Sequence, residues 1–454
     1  VPAFQSMSKR KRKVFNHALI ITACMDKVIT QVALDLADAP RALQIARESV
    51  DGGIDWLEAG TPLIKSEGMD FIRQLKAEFP DHPIVADMKT LDVGGLEVEM
   101  ATKSGAEVIT IMGMSEDQTI TEALKSASQY GSKVMVDLMG VKDPVSRAEQ
   151  LAEMGVHYLC VHVSIDEQMV GGNPMETLKG VSEAVDIPVA VAGGLNSETA
   201  PLAVENGASI IIVGGAIIKA ADVTKATRNI VLSVTELKPV ASELYKKYGP
   251  EELFEAFTKV STPNIADAMH EQGSMSGIQP ILNHGAKMVG RAITVRTMDG
   301  DWAKPVEAVD KAEKGDVIVI DAGKGDIAVW GELASWSCKQ KGITGVVIDG
   351  AIRDVDEILD MDFPAFARHK RSAAGEPKGF GEIGADIVCG GQPVKDGDWI
   401  VGDETGVVVV PQKDAVEIAN RALDVMEREN RIREEIQRGS TLSQVLNVEK
   451  WEKK

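Results

Sequence analysis

The stretch Ile84-Val85-Ala86-Asp87-Met88-Lys89-Thr90-Leu91-Asp92 sets two carboxylates and an ammonium at the end of a short apolar run. Runs of that length, bounded by polar punctuation, predict a buried strand. Period-2 alternation then turns Asp87 and Lys89 to one side, with Asp92 just beyond the strand end. Such a set is costly to bury without compensation, and it suits a metal ion together with an oxyanion. Taken alone the spacing is weak, because charged residues scatter in the same way over ordinary surfaces.

The elements that must position these groups recur along the first half. Strand-like runs fall at 30–36, 56–60, 84–90, 108–113, 133–140, 158–164, 188–194 and 210–217, with helical spacing between them. The unit repeats about every 25 residues, a supersecondary period. Eight strands alternating with helices predict parallel units closing into a (β/α)₈ TIM barrel, an α/β fold. In such a barrel the reactive groups gather at the C-terminal strand ends. Strand one ends at Asp35, strand two at Glu58, strand three at Asp87 and Lys89, strand five at Asp137 and strand six at His162. Strands seven and eight end in the pairs Gly193-Gly194 and Gly214-Gly215.

These residues divide the chemistry among themselves. Glu58 and Asp87 can hold Mg²⁺, which prefers oxygen ligands. Lys89 can neutralise an enolate oxygen, and His162 can move a proton near neutral pH. The glycine pairs suit a phosphate. Each also has a plain structural reading: Asp35 can cap its loop, glycines after strands form turns, and a strand histidine can be a satisfied core residue. Their joint placement at one barrel mouth favours enediolate chemistry on a phosphorylated sugar.

Composition narrows the alternatives. The chain has 454 residues and a formal net charge of −20, from 69 acidic and 49 basic residues. That balance argues against a broad nucleic-acid surface, and 4% aromatics against a stacking platform. Cys24, Cys160, Cys338 and Cys389 form no close pairs in sequence, which fits a reducing, cytoplasmic setting. No apolar run is long enough to span a membrane. The basic run Lys9-Arg10-Lys11-Arg12-Lys13 reads as a solvated tail within residues 1–28, with a nuclear address or nucleic-acid arm as the alternative.

The barrel is expected over 29–238, a connector over 239–257, and a distinct second α/β domain with a mixed sheet over 258–454. In the second domain, strands are expected at 290–297, 316–322, 345–349, 365–368 and 399–410. Helices are expected at 251–259, 262–272, 328–341 and 413–438. Its chemical candidates are the loop from Asp321 through Gly323 to Asp326, a possible anion-binding turn, and the pair Arg353-Asp354 after a buried strand. The alternative for that pair is a surface ion pair of little energetic worth.

Over residues 30–221 the chain resembles 3-hexulose-6-phosphate synthases, of the orotidine-monophosphate-decarboxylase-like barrel group. The motifs are VALDLAD from Val32, WLEAGTPLIKSEG from Trp56, VADMKTLD from Val85, VMVDLMGV from Val134, CVHVSIDEQ from Cys160, VAVAGGLN from Val189 and IIVGGAI from Ile211. The resemblance implies reversible, Mg²⁺-dependent aldol addition of formaldehyde to ribulose 5-phosphate, giving hexulose 6-phosphate. It implies that Glu58 and Asp87 bind the metal, Lys89 stabilises the enediolate and His162 removes the C1 proton. Asp35 and Asp137 would orient hydroxyls or assist proton traffic, and Asp92 would reach into a neighbouring subunit's site, implying a dimer. Related sugar-phosphate decarboxylases carry an arginine three residues after this histidine; Ile165 stands there.

Over residues 258–442 the chain resembles the regulator-of-ribonuclease-activity-A-like family, which includes 4-hydroxy-4-methyl-2-oxoglutarate aldolases and oxaloacetate decarboxylases. STPNIADAM from Ser261, GRAITVRT from Gly290, AVWGELAS from Ala328, VVIDGAIRDVDEI from Val346 and GDETGVVVVP from Gly402 carry it. The resemblance implies that Arg353 binds a 2-oxo-acid carboxylate, Asp354 holds Mg²⁺ or Mn²⁺, and loop amides from Gly323 onward assist. Other members bind a ribonuclease without catalysis, so a regulatory or assembly role is the competing reading. The two resemblances imply barrels that pair and second domains that form three-fold rings, which together would close as a hexamer; the alternative is a dimer whose second domains hang free.

Overall fold

A computed structural model of the protein describes residues 27–242 and 244–451. Cys24 and the basic run at residues 9–13 lie outside them. Two compact units emerge: one holds the residues up to Gln168, Gly172–Lys246 and Asn430 onward, the other Met169–Gly171 and Lys247–Glu429.

In the first unit eight parallel strands close on themselves in chain order. They are β1 (Ile29–Leu34), β2 (Trp56–Ala59), β3 (Ile84–Thr90), β4 (Val108–Met112), β5 (Lys133–Asp137), β6 (Tyr158–His162), β7 (Val189–Ala192) and β8 (Ile210–Val213). The TIM barrel expected from the repeat is therefore present. Alternation splits every strand between two cores. Val32, Leu34, Ile84, Ala86, Val134, Val136, Leu159 and Val161 pack outward against the helices. Ala33, Val85, Val108, Met135, Tyr158 and Cys160 fill the barrel. The same parity carries Asp35, Glu58, Asp87, Asp137 and His162 inward at the strand ends.

Residues 430–451 also belong to this unit. Arg431 is fully buried; its Nε donates to Glu435 at 2.7 Å and its Nη1 to Glu48 at 3.2 Å and to the carbonyl of Ala221 at 3.2 Å. Arg438 adds a second bond to Glu48 at 3.0 Å.

The second unit is built on a mixed sheet in the order β19-β18-β10-β11-β13-β14-β9. In chain order its strands are β9 (Gln279–Ile281), β10 (Met288–Arg296), β11 (Val317–Asp321), β12 (Ala328–Trp330), β13 (Gly345–Ile352), β14 (Ala365–Lys370), β15 (Glu382–Ile383), β16 (Ile387–Cys389), β17 (Gln392–Val394), β18 (Trp399–Asp403) and β19 (Gly406–Val410). The α/β class with a mixed sheet is as expected; three elements differ. Residues 328–341 are not one helix: β12 pairs with β13 through Ala328 and Trp330, and the helix starts only at Glu332. Residues 399–410 are not one strand. Thr405 N–H donates to Asp403 at 2.9 Å and Gly406 takes φ +152°, folding the run into an antiparallel hairpin. The helix from Thr262 stops at Ala268, because His270 and Glu271 adopt left-handed φ of 53° and 67°.

Among the described residues no helix is long and apolar enough to cross a membrane. Cys160, Cys338 and Cys389 are buried free thiols.

Candidate functional site

The barrel mouth opens into a cavity of about 610 Å³, within the range of small-molecule sites. Asp35, Glu58, Asp87, Lys89, Asp137 and His162 all line it, together with Gly193, Gly194, Gly214 and Gly215. Their side chains form a connected chain of bonds. The Lys89 ammonium lies 2.8 Å from Asp87 Oδ2 and 3.2 Å from Asp137 Oδ2. The same Asp137 oxygen sits 2.7 Å from His162 Nδ1, while Asp137 Oδ1 accepts the Met139 N–H at 2.9 Å. A carboxylate only accepts, so Nδ1 carries a proton, and in the neutral form of the ring the lone pair is at Nε2.

Lys89 reaches this position by a backbone device that alternation does not foresee. It sits at φ 46°, in the left-handed region that bulky residues avoid. The β3–β4 register shifts between Ala86 and Thr90, so Lys89 lies in an irregularity of the strand rather than at a regular alternate position. Strain at such a point persists only where surrounding contacts over-determine it.

The electrostatics separate the carboxyls. Burial pushes Glu58 well above the usual carboxylate range, and the charges of Asp87 and Asp35 add to it. Asp35 is also raised, by burial first and then by Asp87. Asp137 is lowered: burial works upward, but the His162 hydrogen bond and charge and the Lys89 charge outweigh it. Lys89 is raised, because Asp87 and Asp137 overcome its desolvation, and it stays an ammonium. Asp35, Glu58 and Asp87 thus set three carboxyls beside one lysine, and the upward shifts of Asp35 and Glu58 reflect how poorly the site tolerates ionising all three. A divalent cation would relieve that crowding, so the donor set fits Mg²⁺ at Glu58 and Asp87.

Asp92 is not part of this cavity. It is exposed beyond β3, and its Oδ1 accepts the N–H of Val93 at 2.7 Å. Several residues in or behind the cavity wall escaped the sequence reading. Gln31 donates to Glu58 from the strand-one position two residues before Ala33, where parity alone could have flagged it. Thr61 donates to Asp87 Oδ2 at 2.7 Å from the start of the following helix. Cys160 lies one inward step below His162, close to both that residue and Asp137, and burial raises its thiol well above the ordinary value. For Gln168, Lys219 and Tyr245, which also line the cavity, no local pattern gives a signal.

The second unit has a smaller cavity of about 280 Å³, lined by Trp302, Trp330, Gly331, Leu333, Arg353 and Asp354 among others. Arg353 Nε lies 3.3 Å from Asp354 Oδ2, which also accepts the Glu332 N–H at 3.2 Å. Asp354 is left-handed at φ 56°. Gly323 does not line this cavity. Its N–H donates to Asp321 at 3.0 Å, Lys324 N–H goes to the Asp349 carbonyl at 3.0 Å, and Gly325 N–H to Ala322 at 3.1 Å. The expected anion-binding turn is therefore a self-bonded loop, and it leads into β12 rather than a helix.

Comparison with known proteins agrees with this division. Residues 30–230 match the model of the orotidine 5'-phosphate decarboxylase / HUMPS family, and residues 262–409 match the RraA-like model, Aldolase/RraA. The 3-hexulose-6-phosphate synthase of Bacillus subtilis strain 168 is 38% identical over 193 residues, which is 42% of this chain and 91% of that protein. That of Mycobacterium gastri is 38% identical over 200 residues, covering 44% of this chain and 96% of the relative. A crystal structure of 3-hexulose-6-phosphate synthase is 37% identical with a TM-score of 0.44, covering 45% of this chain and 99% of that one. With curated synthases matched over nearly their whole length by the barrel, the chain belongs to the orotidine 5'-phosphate decarboxylase / HUMPS family as a lyase-type enzyme, and it carries an RraA-like domain in its second half.

Proposed function

We propose that the barrel is a 3-hexulose-6-phosphate synthase, joining formaldehyde to C1 of ribulose 5-phosphate and running in reverse as well. The observation that carries this is the bonded chain Asp87–Lys89–Asp137–His162 beneath an open cavity. His162 Nε2 takes the C1 proton, while Asp137 fixes the ring and stabilises the imidazolium that forms. The Lys89 ammonium faces the negative charge of the enediolate, and C1 then attacks the formaldehyde carbon. The resulting alkoxide recovers that proton from the His162 imidazolium, directly or by way of Asp35, whose affinity for a proton is raised. Mg²⁺ held by Glu58 and Asp87 would supply a second positive charge for the oxygens of the enediolate. Gly193, Gly194, Gly214 and Gly215 receive the phosphate.

The second cavity suits a small 2-oxo acid, its carboxylate on Arg353 and a divalent metal at Asp354. The competing reading is a regulatory or ribonuclease-binding module. Barrels are proposed to pair through the surface around Asp92, where Leu91, Val93, Leu96, Met100 and Met114 are all exposed apolar residues. Trimeric contacts of the second domain would extend such pairs to a hexamer. A cytoplasmic setting fits the free thiols.

The deciding experiment is an assay of the purified chain with ribulose 5-phosphate, formaldehyde and Mg²⁺, beside oxaloacetate as a second substrate. Formaldehyde consumption that requires both the sugar phosphate and the metal supports the reading; its absence under all metals tried rejects it. Light scattering on wild type and Leu96→Glu tests the pairing, which predicts a fall in mass for the variant.

A further inference from the structure

The family match ends at residue 230, but the chain returns to the cavity after that point. Val240 N–H donates to the Ser197 carbonyl at 3.0 Å, and Ser197 Oγ donates back to the Val240 carbonyl at 2.7 Å. Ser242 N–H reaches Glu198 at 2.9 Å, and Asn196 Nδ2 donates to the Leu244 carbonyl at 3.2 Å. These bonds fasten the segment to the loop behind the β7 glycine pair. Tyr245 follows, 6% exposed and at φ 56°, a backbone state an aromatic residue holds only under tight packing.

Its ring lies on Gly215. A Cβ added there would meet the ring at 2.2 Å, so only glycine admits this approach. The Tyr245 hydroxyl donates to Gln168 Oε1 at 3.1 Å, and Gln168 Nε2 donates to the Val163 carbonyl at 2.7 Å, one residue past His162. The Lys219 ammonium stands 5.1 Å from the ring centroid, at cation–π range. Gln168, Gly193, Gly215, Lys219 and Tyr245 all line the cavity.

We propose that Tyr245 is a positioning residue for the substrate's phosphate: its ring packs on the Cα side of Gly215 at the edge of the cavity and holds the Lys219 ammonium towards the dianion. This rests on the sugar-phosphate reading of the barrel. A lysine stem samples many rotamers, and an aromatic face restricts them before the ligand arrives. The ring also excludes water, which strengthens attraction between the ammonium and a phosphate.

Full-length wild type, Tyr245→Ala, Lys219→Met and the double variant would be titrated with inorganic phosphate and with ribulose 5-phosphate by calorimetry, with kinetics alongside. Tyr245→Ala should weaken both ligands roughly tenfold, the size of a partly desolvated cation–π contact, and raise KM with them. kcat should change far less than KM. The double variant should bind no more weakly than Lys219→Met, because the tyrosine acts through the lysine. Tyr245→Phe, which restores the ring, should recover most of the loss. Wild-type phosphate affinity in Tyr245→Ala, full additivity in the double variant, or a loss confined to kcat would each overturn the proposal. Should Tyr245→Ala fail to fold, Tyr245→Leu fills the space without a π face and is judged by the same titrations. A wild type that binds both ligands without synthase turnover would sink the synthase reading and leave this one standing. A wild type that binds neither overturns it.

Discussion

The two cavities hold similar residue types under opposite conditions. At the barrel mouth Glu58, Asp87 and Asp137 are all buried, and Lys89 and His162 share the single oxygen Oδ2 of Asp137. In the second unit Arg353 and Asp354 form one pair, with side chains 44% and 34% exposed, beside two tryptophans. Burial and crowding make the first set responsive to changes of charge, so groups can exchange protons and stabilise a developing oxyanion. The second set keeps its charges in partial contact with water, which suits holding an anion already formed. Carboxylates and cations in proximity therefore say little until their burial is known.

The largest expected effect probes the first half of this contrast. Lys89→Ala should lower synthase kcat by roughly 10²–10³-fold, the range for removal of an oxyanion donor. Oxaloacetate turnover in the second unit should be untouched. Near-native synthase turnover would show that Lys89 serves structure alone.

His162→Gln follows in size. Exchange of the ribulose 5-phosphate C1 proton in deuterium oxide should slow by about 10²-fold or more, while calorimetry still detects phosphate binding. Unchanged exchange would transfer the base role, with Asp137 the next candidate.

Arg353→Ala sharpens the other half. Loss of a charge-assisted bond to a 2-oxo carboxylate should weaken oxaloacetate handling roughly 10- to 100-fold. Synthase turnover measured on the same preparation should hold. Equal oxaloacetate kinetics in variant and wild type would favour the regulatory reading of that domain.

A last effect, on stability alone, separates structural from chemical carboxylates. Asp301, fully buried in the second unit, accepts N–H groups from Ala303, Lys378, Gly379 and Phe380 at 2.8–3.3 Å. Its burial works against the charge, but these four donors outweigh it and lower its pKa. A depressed carboxyl stabilises the fold above its unfolded pKa and loses that contribution as pH falls through the folded value. Asp301→Ala should therefore cost about 1–3 kcal/mol at neutral pH. The gap to wild type should narrow as the pH is lowered in a series of thermal melts. A pH-independent gap would mean that packing, not the charge, is what the substitution removes.

Much of the barrel could be read from the chain alone, because its signals are local. The strand period turns Asp35, Glu58, Asp87, Asp137 and His162 inward with Ala33, Trp56, Val85, Met135 and Cys160, and the helical intervals between strands imply parallel closure. Glycines after β7 and β8 were equally visible. What local pattern cannot carry is decided by partners distant in sequence. The left-handed turn at Lys89 depends on β4 and on Asp137, and the side chain meets Asp137 only after closure of the sheet. Residues 328–330 have helical spacing, yet pairing with β13 makes them a strand. The amides around Gly323 look available until Asp321 and Asp349 engage them. Tyr245 belongs to a connector by sequence and to a cavity by structure, since its ring rests on Gly215 and its hydroxyl on Gln168, 77 positions away. Residue type and period set which face of an element is apolar; long-range contacts set which polar groups remain free to act.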